Sequence, residues 1–284
     1  MYLPETLLKQ KLLDFLKSDL AWGDITTDLL IPPEKQTEAF ILIKEPAILA
    51  GLYESIILFS ALGIKTESPY QDGEKIKENT KILFLKGKAR DILIVERTAL
   101  NILMRMTSIA TQTYKLQEKI KNIGSRSKVA ATRKTLPGWG YFDKKAVAIG
   151  GGDTHRFNLS DLVLIKDNHL ILFGNLINAI KKVKEKISFT KKIEVEVCTP
   201  EEALFAAQAG ADIIMLDNFS PSEVKKTIEK LEQKGLRGKV ILEVSGGINF
   251  ENILDYAIYN PDIISCGALT HSVKAIDMSL KIIL

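Results

Sequence analysis

The chain has 284 residues, enough for one large α/β domain or for two smaller ones with separate cores. A hydrophobic share of 46%, a charged share of 26% and a mean hydropathy of +0.06 exclude a disordered or collagen-like chain and predict a soluble, folded protein. The 39 Lys and Arg against 35 Asp and Glu leave a net +4, but the lysine surplus sits in runs such as KKVKEKISFTKK (181–192), where acidic and apolar residues interrupt it. That is the pattern of a solvated helix face and not of a nucleic-acid surface.

Taken in chain order, Leu7, Leu8, Leu12, Leu13 and Leu16 recur at helical spacing and predict an amphipathic first helix that stops near Trp22-Gly23-Asp24. The segment has neither a signal-peptide core nor a span of ~20 apolar residues, so neither export nor a membrane anchor is expected. Cys198 and Cys266 lie far apart with no CxxC spacing, which predicts reduced thiols and a cytoplasmic protein. From about residue 36 to 90, the runs AFILIK, AILAGL and KILFLKGKA, punctuated by Gly, Pro and Asp72-Gly73, predict short strands. RDILIVERTALNILMRMTSIATQTYKL, from Arg90, then predicts a long helix, and together these segments make an α+β N-terminal domain.

Beyond that helix the text becomes periodic. VAATRK (129–134), LVLIKD (162–167), IEVEV (193–197), IIMLD (213–217), VILEVSG (240–246) and IISCG (263–267) alternate with helical stretches such as PEEALFAAQAGA and PSEVKKTIEKLEQKG. Repeated βαβ units of this kind build a parallel sheet. No GxGxxG follows the first strand, whereas nearly every run ends on a polar or small residue: Arg133 and Lys134, Lys166, Glu196, Asp217, Ser245 and Gly267. Polar side chains at the carboxyl ends of strands favour a (β/α) barrel over an open doubly wound sheet.

Alternation in Ile193-Glu194-Val195-Glu196-Val197 puts both glutamates on one strand face, pointing to the barrel mouth, and Asp217 is expected at the same level of the next strand. Two readings stay open: buried partners for lysines, or ligands for a hard cation such as Mg²⁺. Arg133, Lys134, His155, Arg156 and Lys166 cluster at strand ends or in one loop, where they are costly to desolvate unless they meet anions. Alternation is also expected to send Arg133 and Lys134 to opposite sides of their strand. Gly150-Gly151-Gly152, Ser245-Gly246-Gly247 and Gly267 add a phosphate-binding theme. The residues alone thus describe a Mg²⁺-dependent barrel enzyme for a substrate carrying phosphate and carboxylate groups, with no HExxH, Walker motif or base-paired nucleophile.

SDLAWGDITTDLL (18–30), ERTALNILMRMTSIATQT (96–113), ATRKTLPG (131–138), AVAIGGGDTHRFNLSDLVLIKDNH (146–169), IEVEV (193–197), MLDNF (215–219), LEVSGGI (242–248) and GALTHS (267–272) closely resemble the quinolinate phosphoribosyltransferase family. The resemblance implies an N-terminal α/β sandwich over 1–108 and an open (β/α) barrel over 109–271, with a C-terminal helix over 272–284 packing back on the first domain. It implies a homodimer, or a higher oligomer, in which subunits share the active site. The implied reaction turns quinolinate and 5-phosphoribosyl 1-pyrophosphate into nicotinate mononucleotide, pyrophosphate and CO₂, in NAD biosynthesis.

Matched by motif, Arg133, His155, Arg156 and Lys166 would hold the quinolinate carboxylates and Arg97 would reach in from the partner. Thr132 and Lys134 would line the site, with Lys134 near the pyrophosphate. Glu196 and Asp217 would bind the ribose hydroxyls and Mg²⁺, while Ser245, Gly246, Gly247, Gly267 and His271 would face the 5′-phosphate. Six barrel strands are legible, and the seventh strand of the family is not. Thr107-Ser108 and Gly140 depart from the family pattern. Two other readings are a molybdenum-associated relative, or another phosphoribosyltransferase of the same fold with a different acceptor, and a non-catalytic nucleotide- or RNA-binding protein. The acids at the barrel mouth count against the binder.

Overall fold

Leu8, Leu12 and Leu16 recur every four residues and are buried, so Glu5–Leu20 forms helix α1 with one apolar stripe. In the computed structural model, which describes residues 3–283, the helix stops at Ala21 (φ 45°). Residues 1, 2 and 284 of the expected first domain and C-terminal helix lie outside the described residues. Helix α2 (Ile25–Leu30) starts where the Asp24 carboxylate accepts the Thr27 N–H at 3.1 Å, satisfying a donor the helix itself cannot.

The first unit continues with β1 (Gln36–Ile43), β2 (Ala47–Ile48), α3 (Leu52–Ala61), β3 (Lys65–Glu67), β4 (Lys75–Ile76), β5 (Thr80–Lys88) and the greater part of the long α4 (Ala89–Asn122). The described residues form two compact units: 3–112 with Ala148–Gly150 and 273–283, and Thr113–Val147 with Gly151–Ser272. Ala39, Ile41 and Ile43 of β1 are buried in alternation, the mark of a sheet with one covered face.

The second unit contains β6 (Lys128–Ala130), α5 (Gly140–Ile149), β7 (Val163–Ile165), α6 (Asp167–Phe173), α7 (Leu176–Lys184), β8 (Ile193–Val197), α8 (Pro200–Ala209), β9 (Ile213–Asp217), α9 (Pro221–Gln233), β10 (Ile241–Ser245), α10 (Ile253–Ala257), β11 (Ile263–Ser265) and α11 (Ala268–His271). Its six strands pair in parallel in the order β6-β11-β10-β9-β8-β7, so the sheet's two free edges, β6 and β7, are consecutive in sequence. A sheet so ordered is a barrel left open between those two strands. At the free edge of β6 the seventh rung is a single residue: the Asp153 N–H donates to Val129 O at 2.7 Å and Asp153 O accepts from the Ala131 N–H at 2.9 Å.

The expected C-terminal helix is instead strand β12 (Met278–Ile283), which pairs antiparallel with β1 from Ile43↔Met278 to Glu38↔Ile283. Ile276, Met278 and Leu280 are buried at a period of two, which suits a strand and not a helix. β12 completes the first unit's antiparallel sheet, β12-β1-β5-β3. Thr107 and Ser108, which depart from the family pattern, serve this unit internally. The Thr107 hydroxyl bonds the backbone of Ala50 (2.9 and 3.2 Å), and the Ser108 hydroxyl donates to Lys274 O (2.5 Å).

Of Gly150-Gly151-Gly152, the third occupies a packed position. A Cβ at buried Gly152 would lie 2.7 Å from Thr113 Cγ2, 2.8 Å from Val147 Cγ1 and 3.0 Å from Val129 O. Gly152→Ala should therefore lower stability by about 1–3 kcal/mol in urea denaturation, and an unchanged midpoint would contradict this packing.

Candidate active site

A cavity of about 420 Å³ opens at the carboxyl ends of the parallel strands. Inward-facing residues of the strands line it: Leu164 from β7, Glu196 on β8, Met215 and Asp217 on β9, Glu243 and Ser245 on β10, and Ser265 on β11. A second cavity of about 390 Å³, lined by residues of β7, α6 and α7 including Val163, Ile165, Phe173 and Val183, is largely apolar. The charge-rich cavity is the candidate site.

β6 ends at Ala130, so Thr132, Arg133 and Lys134 lie past the strand, and all three line the same cavity. The expectation that alternation would separate Arg133 from Lys134 fails because alternation ends with the strand. Thr132 Oγ1 accepts the Lys134 N–H (3.1 Å) and the Thr270 hydroxyl donates to Lys134 O (2.9 Å), fixing this backbone. A Cβ at Gly267 would lie 3.2 Å from Lys134 Cδ, so the glycine gives the lysine stem room to pass.

The loop after the three glycines presents His155 and Arg156. Asp153 Oδ1 accepts the His155 N–H (2.7 Å), and His155 adopts a left-handed φ of 50°. Its ring lies between two buried acids, with Nε2 at 3.0 Å from Glu243 Oε2 and 3.4 Å from Glu194 Oε2. Burial disfavours charge on this imidazole, but Glu194 and Glu243 outweigh it and push its pKa up to about 10. The Arg156 backbone N–H lies 2.8 Å from Nδ1, on the other side of the ring. Nε2 is the ring nitrogen that faces both acids. Burial raises the Glu194 carboxyl first of all, its hydrogen bond to His155 opposes that, and the neighbouring Glu243 charge raises it further. The Ser265 hydroxyl donates to Glu243 Oε1 (2.5 Å), completing the floor of the cavity.

One layer higher, Lys166 Nζ lies 3.0 Å from Glu196 Oε2. Burial raises the Glu196 carboxyl, Lys166 opposes that, and neighbouring Asp217 raises it further. The register pairs Glu196 with Met215, so Asp217 projects two residues beyond the level expected for it, yet it remains close enough to raise the Glu196 carboxyl. The Asn218 amide donates to Asp217 Oδ2 at 2.7 Å. Two neighbouring carboxylates at a cavity mouth are a donor set that suits a hard divalent cation, so the residues fit Mg²⁺.

Beyond Ser245 the chain turns through Gly246 (φ 98°) and Gly247 (φ 61°), beside Asn218 (φ 57°), whose N–H donates to Ser245 O at 2.9 Å. A Cβ at Gly246 would lie 2.6 Å from Asn218 N, so only glycine fits, whereas Gly247 faces open space. These two glycines and Ser245 line the cavity. Gly267, His271 and Arg97 are not among its lining residues. His271 is exposed and bonds the Ser272 hydroxyl through Nδ1 (2.6 Å), and Arg97 is exposed on α4 in the first unit. Gly140, the third departure, opens α5.

Sequence reading missed Glu243 and Ser265 as site residues. The signal was available: in Leu242-Glu243-Val244-Ser245 the same period of two that drew attention to Glu194 and Glu196 puts Glu243 on the inward face with Ser245.

A family model for the N-terminal domain of quinolinate phosphoribosyl transferase matches residues 24–107, and one for the C-terminal domain matches residues 109–281. The chain is 50% identical over 271 residues to a probable nicotinate-nucleotide pyrophosphorylase [carboxylating] of Methanocaldococcus jannaschii, covering 94% of each chain. It is 36% identical over 253 residues to the rat nicotinate-nucleotide pyrophosphorylase [carboxylating], covering 89% of this chain and 84% of the rat protein. The solved structure of the Francisella tularensis nicotinate-nucleotide pyrophosphorylase superposes with a TM-score of 0.91 at 38% identity, over 99% of this chain and 98% of that one.

Glu243→Ala would leave the Ser265 hydroxyl and the His155 Nε2–H without their shared acceptor. We expect a loss of about 2–4 kcal/mol in chemical denaturation, and a loss under about 1 kcal/mol would contradict this buried cluster.

Proposed function

The chain belongs to the quinolinate phosphoribosyl transferase family, and we propose that its strand-end cavity is where quinolinate meets 5-phosphoribosyl 1-pyrophosphate. The enzyme joins the two to give nicotinate mononucleotide, pyrophosphate and CO₂ in NAD biosynthesis. The observation that carries the site assignment is the convergence of Arg133, Lys134, Arg156 and Lys166 on one cavity that also holds Glu196 and Asp217. Cations matched to carboxylates and phosphates, beside acids matched to a sugar and a metal, fit this substrate pair and not a single polyanion.

Quinolinate's two carboxylates would be met by Arg133, Arg156 and Lys166, with His155 at the floor between them and the acids. Guanidinium forks bind carboxylates bidentately and set the ring's orientation as well as its affinity. Held this way, the ring nitrogen can be aligned with the anomeric carbon, and such positioning supplies much of the rate. Displacement builds positive charge on the ribose, which the nearby Glu196 and Asp217 carboxylates stabilise, while Lys134 faces the negative charge growing on the departing pyrophosphate. Glu196 and Asp217 would hold Mg²⁺, which when bound would neutralise diphosphate oxygens. Backbone N–H groups at Gly246 and Gly247, with the Ser245 hydroxyl, would receive the 5′-phosphate, with Gly267 and His271 at the margin. After N-alkylation the pyridinium ring accepts the electron pair left when the adjacent carboxylate departs as CO₂, and a proton then takes its place.

Trp22 is fully exposed on the turn before α2, and Ile25, Leu29 and Leu30 are 71–80% exposed on α2 itself. An apolar face of that kind is better covered. A homodimer, in which this surface is buried and exposed Arg97 enters the neighbouring subunit's site, accounts for both features. Both cysteines are free thiols, as suits a reducing cytoplasm, and no described helix is long and apolar enough to cross a membrane.

Purified protein mixed with quinolinate, phosphoribosyl pyrophosphate and Mg²⁺ should consume quinolinate. Turnover of another aromatic acid but not of quinolinate would favour an acceptor-shifted relative. Arg133→Ala should raise the quinolinate KM and cost about 3 kcal/mol or more in kcat/KM, and unchanged kinetics would refute the clamp. Arg97→Ala subunits mixed with Arg133→Ala subunits should regain activity through the hybrid's one intact site, whereas no recovery would contradict a shared site.

A further inference from the structure

Lys144 lies outside every role described above, yet it is one of the largest fully buried side chains in the molecule, at 1% exposure. It sits on α5 next to Phe142 and Ala146, where a helix would ordinarily carry an apolar residue. Burying an ammonium group is costly, so the fold must use it. Nζ donates to the carbonyl of Thr154 and lies 5.5 Å from the centroid of the Phe157 ring. It is thus directed at the loop that presents His155 and Arg156.

That loop is pinned at successive points. Asp153 is tied to β6 through both its N–H and its carbonyl, Thr154 through its carbonyl to Lys144, and His155 through its N–H to Asp153 Oδ1. Between these anchors His155 takes a left-handed φ of 50°, a conformation that a non-glycine residue holds only when its surroundings impose it. The same turn sends the Arg156 N–H back to the His155 ring and its guanidinium to the cavity.

We propose that Lys144 is a positioning residue for the carboxylate clamp: its bond to Thr154 locks the left-handed turn, and its charge makes quinolinate affinity depend on pH. This rests on the reading that Arg133 and Arg156 receive the quinolinate carboxylates. The charged groups acting on Lys144 are Asp153 and Asp161, which favour its cation, and Arg133 and Arg156, which oppose it, with the His155 cluster beyond the loop. Burial outweighs the rest and lowers its pKa to about 8.

The sign separates this role from a merely structural one. Between about pH 8 and the ordinary lysine value of 10.5, the unfolded chain keeps a proton that the folded chain has lost, so this group makes the fold more stable as pH rises. Over the same interval the cation behind the clamp disappears and a dianion binds less well. Stability and affinity therefore move in opposite directions, whereas loosening of the structure would lower both.

The test is calorimetric titration of quinolinate into the intact protein at pH 7 and pH 9, with melting temperatures taken alongside, for the parent, Lys144→Met and Lys144→Gln. The parent should lose affinity several-fold from pH 7 to pH 9 without a matching fall in melting temperature. Lys144→Met, of similar length and without charge, should remain folded and bind quinolinate at least about tenfold more weakly at pH 7, with most of the pH dependence gone. Its affinity for phosphoribosyl pyrophosphate should change less than about threefold. A folded Met or Gln variant with parental quinolinate affinity, or with the parental pH dependence, overturns the proposal alone. A parent that binds no quinolinate overturns the reading of the site, and the proposal with it. If both variants fail to fold, the parent's own titration decides, because affinity and stability falling together would overturn it.

Discussion

An inward-facing side chain on a strand of this open parallel barrel has only the axis to occupy, and on this axis the chain places charge. Each such charge must be met by another, because burial of an unpaired ion costs several kcal/mol. The layers show how this is done. At the floor, Glu243 takes hydrogen bonds from Ser265 and His155 while Glu194 lies against the same ring. Above them, Lys166 pairs with Glu196, and Asp217 stands one step further out. At the rim, Arg133, Lys134 and Arg156 face the cavity, so the mouth carries a surplus of positive charge that only an anionic ligand balances.

Much of this arrangement was visible as single polar residues closing apolar runs. Lys166, Glu196 and Asp217 each interrupt a β-branched stretch where the apolar pattern gives no reason for them, and each lies in the cavity. Period-two alternation carried the reading as far as the strands extended. It failed at Arg133 and Lys134 because β6 is only three residues long and the chain has left strand geometry by the time it reaches them.

Other features depend on partners distant in sequence, which local pattern does not encode. Lys144 reads as an ordinary lysine on a helix face until the carbonyl of Thr154 is found above it. Gly152 reads as part of a phosphate loop until Thr113, Val147 and Val129 close around it. The final segment, expected as a helix from the family resemblance, is a strand because its apolar residues recur every two positions and β1 offers it an edge. That return of the chain to the first unit also explains why Ser108 bonds a carbonyl 166 residues away. The position departs from the family pattern without touching the site.

The central claim is that the cavity is charge-matched to a ring bearing two carboxylates. Equilibrium titration of quinolinate and of nicotinate, which lacks one of the two, tests it most directly. Loss of two charge-assisted hydrogen bonds at about 1.5 kcal/mol each predicts that nicotinate binds about a hundredfold more weakly, with a quinolinate affinity that falls as salt is added. Equal affinities for the two acids, or a quinolinate affinity indifferent to salt, would contradict it.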